Sequence, residues 1–189
     1  MAANILEQRR VALEEAFFAK YNEALRQQMI AADVAVAQHA ALAEASGIAD
    51  DAKLALLEQL GIGAGTLAAL TLAPLVLVAW ADGSVSAAER EAVLRHGAEA
   101  GLPADGPGMA MLEAWLSSVP PMTLEAAWAA YAAALAARMA PEARLALEAH
   151  VLQDARAVAR LSGGFLGLAA GISDREKAAL DRLRAAFHP

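Results

Sequence analysis

Apolar residues recur at helical spacing along most of the chain. Leu6, Val11, Leu13, Phe17, Phe18, Leu25 and Met29 form one stripe, with Arg and Glu on the other side, which predicts a helix from about Ile5 to Met29. A second helix is expected over Asp33–Ala45, stopped by Ser46-Gly47, and a short third after Asp50-Asp51, ended by Gly61. The acids suit a helix start because they face the positive end of its dipole. From Glu58 to Asp82 no charged residue intervenes, and the compact apolar part, Leu67–Ala81, predicts one buried helix. Ser86–Ala100 follows as its hairpin partner. Gly101, Pro103, Gly106, Pro107 and Gly108 mark a loop. Further helices are expected over Met109–Leu116, from Thr123 onward, from Pro141 to about Arg160, and from Ser173 to about Phe187.

The sharpest local signal is the corner Ala79-Trp80-Ala81-Asp82-Gly83-Ser84-Val85-Ser86-Ala87-Ala88-Glu89-Arg90-Glu91. The uncharged run ends there at an Asp-Gly turn. Ser86 and Glu89 then read as a capping box, in which the serine oxygen accepts from the amide three residues on and the glutamate reaches back to the serine amide. Near the C-terminus, Ala169-Ala170-Gly171-Ile172-Ser173-Asp174-Arg175-Glu176 follows the same plan, with Ile172 on Val85, Ser173 on Ser86 and Glu176 on Glu89. Ala169 stands where the first corner has Asp82. The expected architecture is all-α: a helical bundle of two related hairpin halves plus an N-terminal helical arm. The expected division is 1–62 as an extension packed on the domain, and 63–189 as the domain itself.

The core Ala-Trp-Ala-Asp-Gly-x-Val-Ser-x-x-Glu, within Leu75–Leu94, resembles the signature of TerB-like domains, a family named for a tellurite-resistance protein. The resemblance extends from about Thr66 to Phe187, and the segment around Leu13–Phe18 resembles an extension found in a bacterial subgroup. It implies an all-helical domain and an acidic cluster proposed to bind a divalent cation, and it does not imply an enzyme. The family's acidic positions fall on Asp82, Glu89 and Glu176. Ala169 departs from the more acidic pattern. A stress-related role goes with the family's name, but tellurite resistance does not follow from resemblance of fold.

Composition narrows the picture. Hydrophobic residues make up 58% of the 189 and aromatics only 5%, so the apolar content is chiefly Ala and Leu, both strong helix formers. The net charge of −7 and a pI near 5.1 disfavour phosphate backbones and anionic lipid head groups, so no nucleic-acid partner is expected. There is no cysteine, which removes disulfides, thiol catalysis and cysteine-based zinc sites. The N-terminus lacks the basic-then-apolar order of a secretory signal, and a cytoplasmic protein is expected. The uncharged stretch raises the alternative of a membrane span. Its compact part, roughly 15 residues, is short of the ~20 needed, and the centre of a bundle is the favoured place for it.

At the corner, Asp82 is the leading candidate ligand for a hard cation such as Ca²⁺ or Mg²⁺, with Glu89 and a carboxylate of the second hairpin, Glu176 or Asp174, completing the set. Glu91 should point elsewhere. The competing reading is that Asp-Gly makes the turn and the glutamates only cap helices. His150 and Asp154, four apart on one helix, suit a proton-transfer pair, half a zinc site or a plain surface hydrogen bond; His96 with Glu99 or Glu89 has the same status. Ser162-Gly163-Gly164-Phe165-Leu166-Gly167 lacks the strand and lysine of phosphate loops and is expected to join two helices. Trp80, Trp115 and Trp128 are expected to fill the core, with a ligand pocket as the other role open to them. Phe17-Phe18 either packs the arm or binds a partner. No catalytic residue is expected. The expected function is cation binding with docking onto a protein partner or a second copy, against the alternative of a purely structural interaction module.

Overall fold

A computed structural model describes residues 2–162 and 172–188, with side chains described from Lys20 onward apart from Tyr21 and Ser162. Phe17, Phe18, Ala169 and the glycine segment after Ser162 lie outside the described side chains. The described residues form nine α-helices and no strand, so the chain is all-α. In order these are α1 (Ala2–Ser46), α2 (Asp51–Gln59), α3 (Leu67–Leu70), α4 (Ala73–Ala79), α5 (Ala87–Glu99), α6 (Pro107–Ser117), α7 (Thr123–Ala136), α8 (Pro141–Ser162) and α9 (Asp174–Ala185).

The chain divides into two units, Met1–Ala40 and Ala41–Pro189. The expected boundary at 62/63 does not coincide with this division. Residues 41–62 belong to the larger unit, where α2 lies against α7 with Leu54 and Leu57 buried. In the smaller unit, every described side chain from Lys20 to Gln38 is exposed, Leu25, Met29, Ile30, Val34 and Val36 among them.

Two expectations about helix boundaries are corrected. The helices expected at Ile5–Met29 and Asp33–Ala45 are one continuous helix, α1, because Ile30, Ala31 and Ala32 between them contain nothing that breaks a helix. It stops at Gly47, whose φ of +71° suits glycine and whose amide still bonds the Ala43 carbonyl at 2.9 Å. Leu67–Ala81 is two helices instead of one. Pro74 has no amide to donate and sits in the first turn of α4, so the chain breaks through Thr71-Leu72 and restarts.

In the larger unit α4 is the central element. It packs against α5, α6, α7, α8 and α9, and all of its residues except Leu77 are buried. That surrounding explains the missing charges, since a helix covered on every side has no solvent face to keep polar. No helix among the described residues is long and apolar enough to cross a membrane. Alanines at the contact faces (Ala92, Ala127, Ala132, Ala155, Ala159, Ala179) leave little side chain between neighbouring helices. At Gly97 a methyl group would stand 3.0 Å from Leu112 Cδ2, so α5 meets α6 at a point where only hydrogen fits easily. Trp115 and Trp128 are buried, as expected, whereas Trp80 is half-buried and its Nε1 donates to the Trp115 carbonyl at 2.8 Å. This bond ties the end of α4 to α6.

Candidate functional site at the acidic corner

After Trp80 closes α4, the amide of Gly83 bonds the Trp80 carbonyl at 2.9 Å, and Gly83 takes φ +100° to reverse the chain. Asp82, exposed at the tip, accepts from the Ser84 amide through Oδ1 at 3.1 Å, a local turn of the kind Asp favours. Ser86 then starts α5. Its hydroxyl accepts from the Glu89 amide at 3.2 Å, and Glu89 Oε2 accepts from the Ser86 amide at 2.8 Å. The capping box read from the sequence is present in full.

The second corner repeats this chemistry. Ser173 Oγ accepts from the Glu176 amide at 3.2 Å, and Glu176 Oε2 accepts from the Ser173 amide at 2.6 Å. The caps share backbone shape as well, with φ, ψ of −72°, 161° at Ser86 and −64°, 164° at Ser173. Val85 and Ile172, matched in the sequence, are both half-buried against the core.

Both box glutamates are almost wholly buried, each 1% exposed. That is unusual for a capping residue and places two carboxyl groups in the interior. The structure brings Asp82 and Glu176 into electrostatic range of Glu89. Burial pushes the Glu89 carboxyl above its ordinary range, the bonds from Ser86 pull it down, and the charges of Asp82 and Glu176 push it up further. Glu89 Oε1 is buried without a hydrogen-bond partner among the described residues. Arg175, in the first turn of α9, reaches the Asp82 carbonyl at 3.5 Å, which links the tip of the first corner to the second.

As a donor set for a cation the corner is incomplete among the described residues. Glu89 and Glu176 each commit an oxygen to their own cap, and no three His, Asp or Glu side chains among the described residues are arranged to hold a metal ion. Asp174 is turned away, fully exposed and paired with Lys177 at 2.9 Å. Glu91 is exposed.

A second cluster forms where α5 packs on α8. His150 Nε2 stands 3.3 Å from Asp154 Oδ2, as the spacing of four suggested. His96, expected beside Glu99 or Glu89, instead directs Nε2 towards Asp154 Oδ1 at 4.0 Å, while its Nδ1 bonds the Ala92 carbonyl at 2.8 Å. The three line a cavity of about 410 Å³ whose walls include Leu72, Leu75 and Val151. His96 and Asp154 lie 58 positions apart, so only the packing of the two helices reveals this contact.

No family model matches the chain, and neither a curated protein nor a solved structure matches it.

Proposed function

We propose that this protein is a non-catalytic helical binding module of the TerB-like kind, working in the cytoplasm, with α1 as the surface that engages a protein partner. The observation that supports it is the exposure of large apolar side chains on a helix whose described neighbours, from Lys20 to Gln38, are all exposed too: Leu25 at 45%, Met29 at 62%, Ile30 at 54%, Val34 at 50% and Val36 at 69%. Single exposed apolar residues are ordinary, but Leu25, Met29 and Val36 fall along one face of the helix, and an apolar stripe of that kind marks a contact surface. A helix also gains most of its stability from packing one face, so an unpacked stretch of this length calls for something to cover it. Replacing Met29 and Val36 together by Lys should leave helicity and melting temperature unchanged while stripping co-purifying chains from protein isolated gently from its own cells. A variant preparation identical to wild type in both composition and native mass would overturn this reading.

One observation favours a second reading, that the acidic corner takes up a divalent cation. The buried, unpartnered Oε1 of Glu89 beside two further carboxylates is a concentration of negative charge that a cation relieves as well as a proton does. Ca²⁺ or Mg²⁺ at about ten times its Kd would then add ~1.4 kcal/mol, which is roughly 3–5 °C in melting temperature for a chain of this size. The shift should vanish in Asp82→Ala. Equal melting temperatures with and without each cation leave the corner to protons alone.

A further inference from the structure

We infer that the partner of α1 is α1 of a second copy of this chain, paired antiparallel along Leu25, Met29, Ala32 and Val36; this rests on the association reading above and specifies its partner. The four residues follow one another at steps of four, three and four, the seam period of a two-stranded coiled coil. Leu25, Met29 and Val36 are exposed, and so is Ala32, so the whole stripe faces solvent in the single chain. Ile30 and Val34 lie well round the helix from this stripe and take no part in the seam.

The side chains select one arrangement. With a two-fold axis between Ile30 and Ala31, Leu25 meets Val36 of the partner subunit and Met29 meets Ala32 of the partner subunit, so the two central layers each set a long side chain on a methyl. The positions beside the seam then place Arg26 opposite Asp33 of the partner subunit, and the symmetry of the pair repeats that contact in reverse. Charges at these flanking positions set partner choice and orientation in coiled coils. Sliding the antiparallel pair by one heptad would set Arg26 against Arg26 of the partner subunit. In a parallel pair Arg26 and Asp33 occupy the same flank, seven residues apart, and do not meet. In the single chain Arg26 bonds Glu23 at 3.1 Å, with both side chains largely exposed, a pair of small worth that can be exchanged for another.

The seam from Leu25 to Val36 spans about 17 Å, or three turns, so the dimer should depend on concentration. Sedimentation equilibrium on the full chain is expected to show the mass rising from 19.5 kDa towards twice that value as concentration increases. Arg26→Glu or Asp33→Lys alone should weaken association about tenfold, and the two together in one chain should restore it, because the exchanged charges meet again across the axis. Orientation is read by oxidation, which is clean because the chain has no cysteine of its own. An equal mixture of Leu25→Cys and Val36→Cys chains should crosslink, while Val36→Cys alone should not. Self-crosslinking of Val36→Cys, or a double charge exchange no better than either single one, would overturn the antiparallel pair. A wild-type chain that stays at 19.5 kDa throughout, while the Met29/Val36 double-lysine variant still loses a co-purifying protein, overturns self-pairing and leaves the association reading standing.

Discussion

Phe187→Ala should lower the melting temperature by roughly 10–15 °C, the largest effect expected of any single change considered. Phe187 lies two residues beyond the end of α9, where a frayed terminus is the usual expectation. Yet its side chain is 1% exposed, its amide bonds the Arg184 carbonyl at 3.1 Å, and its ring meets Trp128 edge-on, with centroids 5.8 Å apart and planes at 76°. Removing a buried phenyl ring costs about 3–5 kcal/mol, counting both lost transfer energy and the cavity left behind, and about 0.5–1.5 kcal/mol of that belongs to the edge-to-face contact. At roughly 3 °C per kcal/mol for a chain of this size, the sum gives the stated shift. Circular dichroism melting of the variant beside Met122→Ala, whose side chain is 96% exposed and should be inert, provides the comparison. A drop smaller than about 3 °C would mean that the last turn does not lock onto α7 in solution.

Glu89 should give opposite results for two substitutions. In Glu89→Ala the Ser86 amide loses its acceptor and the cap half of its chemistry, a loss of about 2 kcal/mol. In Glu89→Gln the side-chain oxygen still accepts from Ser86, while an uncharged NH₂ replaces the buried, unpartnered oxygen and the repulsion from Asp82 and Glu176 is removed. That variant should be more stable than wild type at neutral pH by about 1 kcal/mol, because the buried charge and its repulsion from two carboxylates are gone. The pH dependence follows from the raised pKa. A carboxyl that holds its proton more tightly in the folded chain than in the unfolded one stabilises the fold fully below the unfolded value of about 4.5. That contribution is lost as pH rises through the folded value. The difference in melting temperature between Glu89→Gln and wild type should therefore grow from about pH 4.5 upward and level off once Glu89 is fully ionised. A constant difference across that range would show that Glu89 carries no raised pKa.

Helix starts were the most legible feature of this sequence, because a cap is chemistry within four residues. Ser86 with Glu89, Ser173 with Glu176 and Asp50 before α2 all cap as their spacing indicates. The all-α class followed from the same local signals and from the abundance of Ala and Leu. Breaks were harder to read. Pro74 restarts a helix that periodicity alone carries straight through Leu72, whereas no residue interrupts α1 where a boundary was expected after Met29. The candidate site was legible residue by residue but not in its environment. Nothing local to Glu89 or Glu176 says that each is only 1% exposed, or that Glu89 senses the charge of Glu176 across 87 positions. The repeated Ser-x-x-Glu was the one clue that their surroundings are alike. His96 had no such clue, since its neighbour Asp154 comes from another helix.

The encirclement of α4 also has a cost in time. A seven-residue helix has no stability of its own, and two of the helices that cover it, α8 and α9, begin at Pro141 and Asp174. On a ribosome adding about 5–20 residues per second, the apolar stretch ending at Ala81 is finished roughly 3–12 s before the first residue of α8 is made. Throughout that interval the most water-averse part of the chain has only α5, α6 and α7 to shelter under. Newly made chains should therefore be most vulnerable to aggregation, and most in need of a chaperone, while the segment between Ala81 and Pro141 is being synthesised.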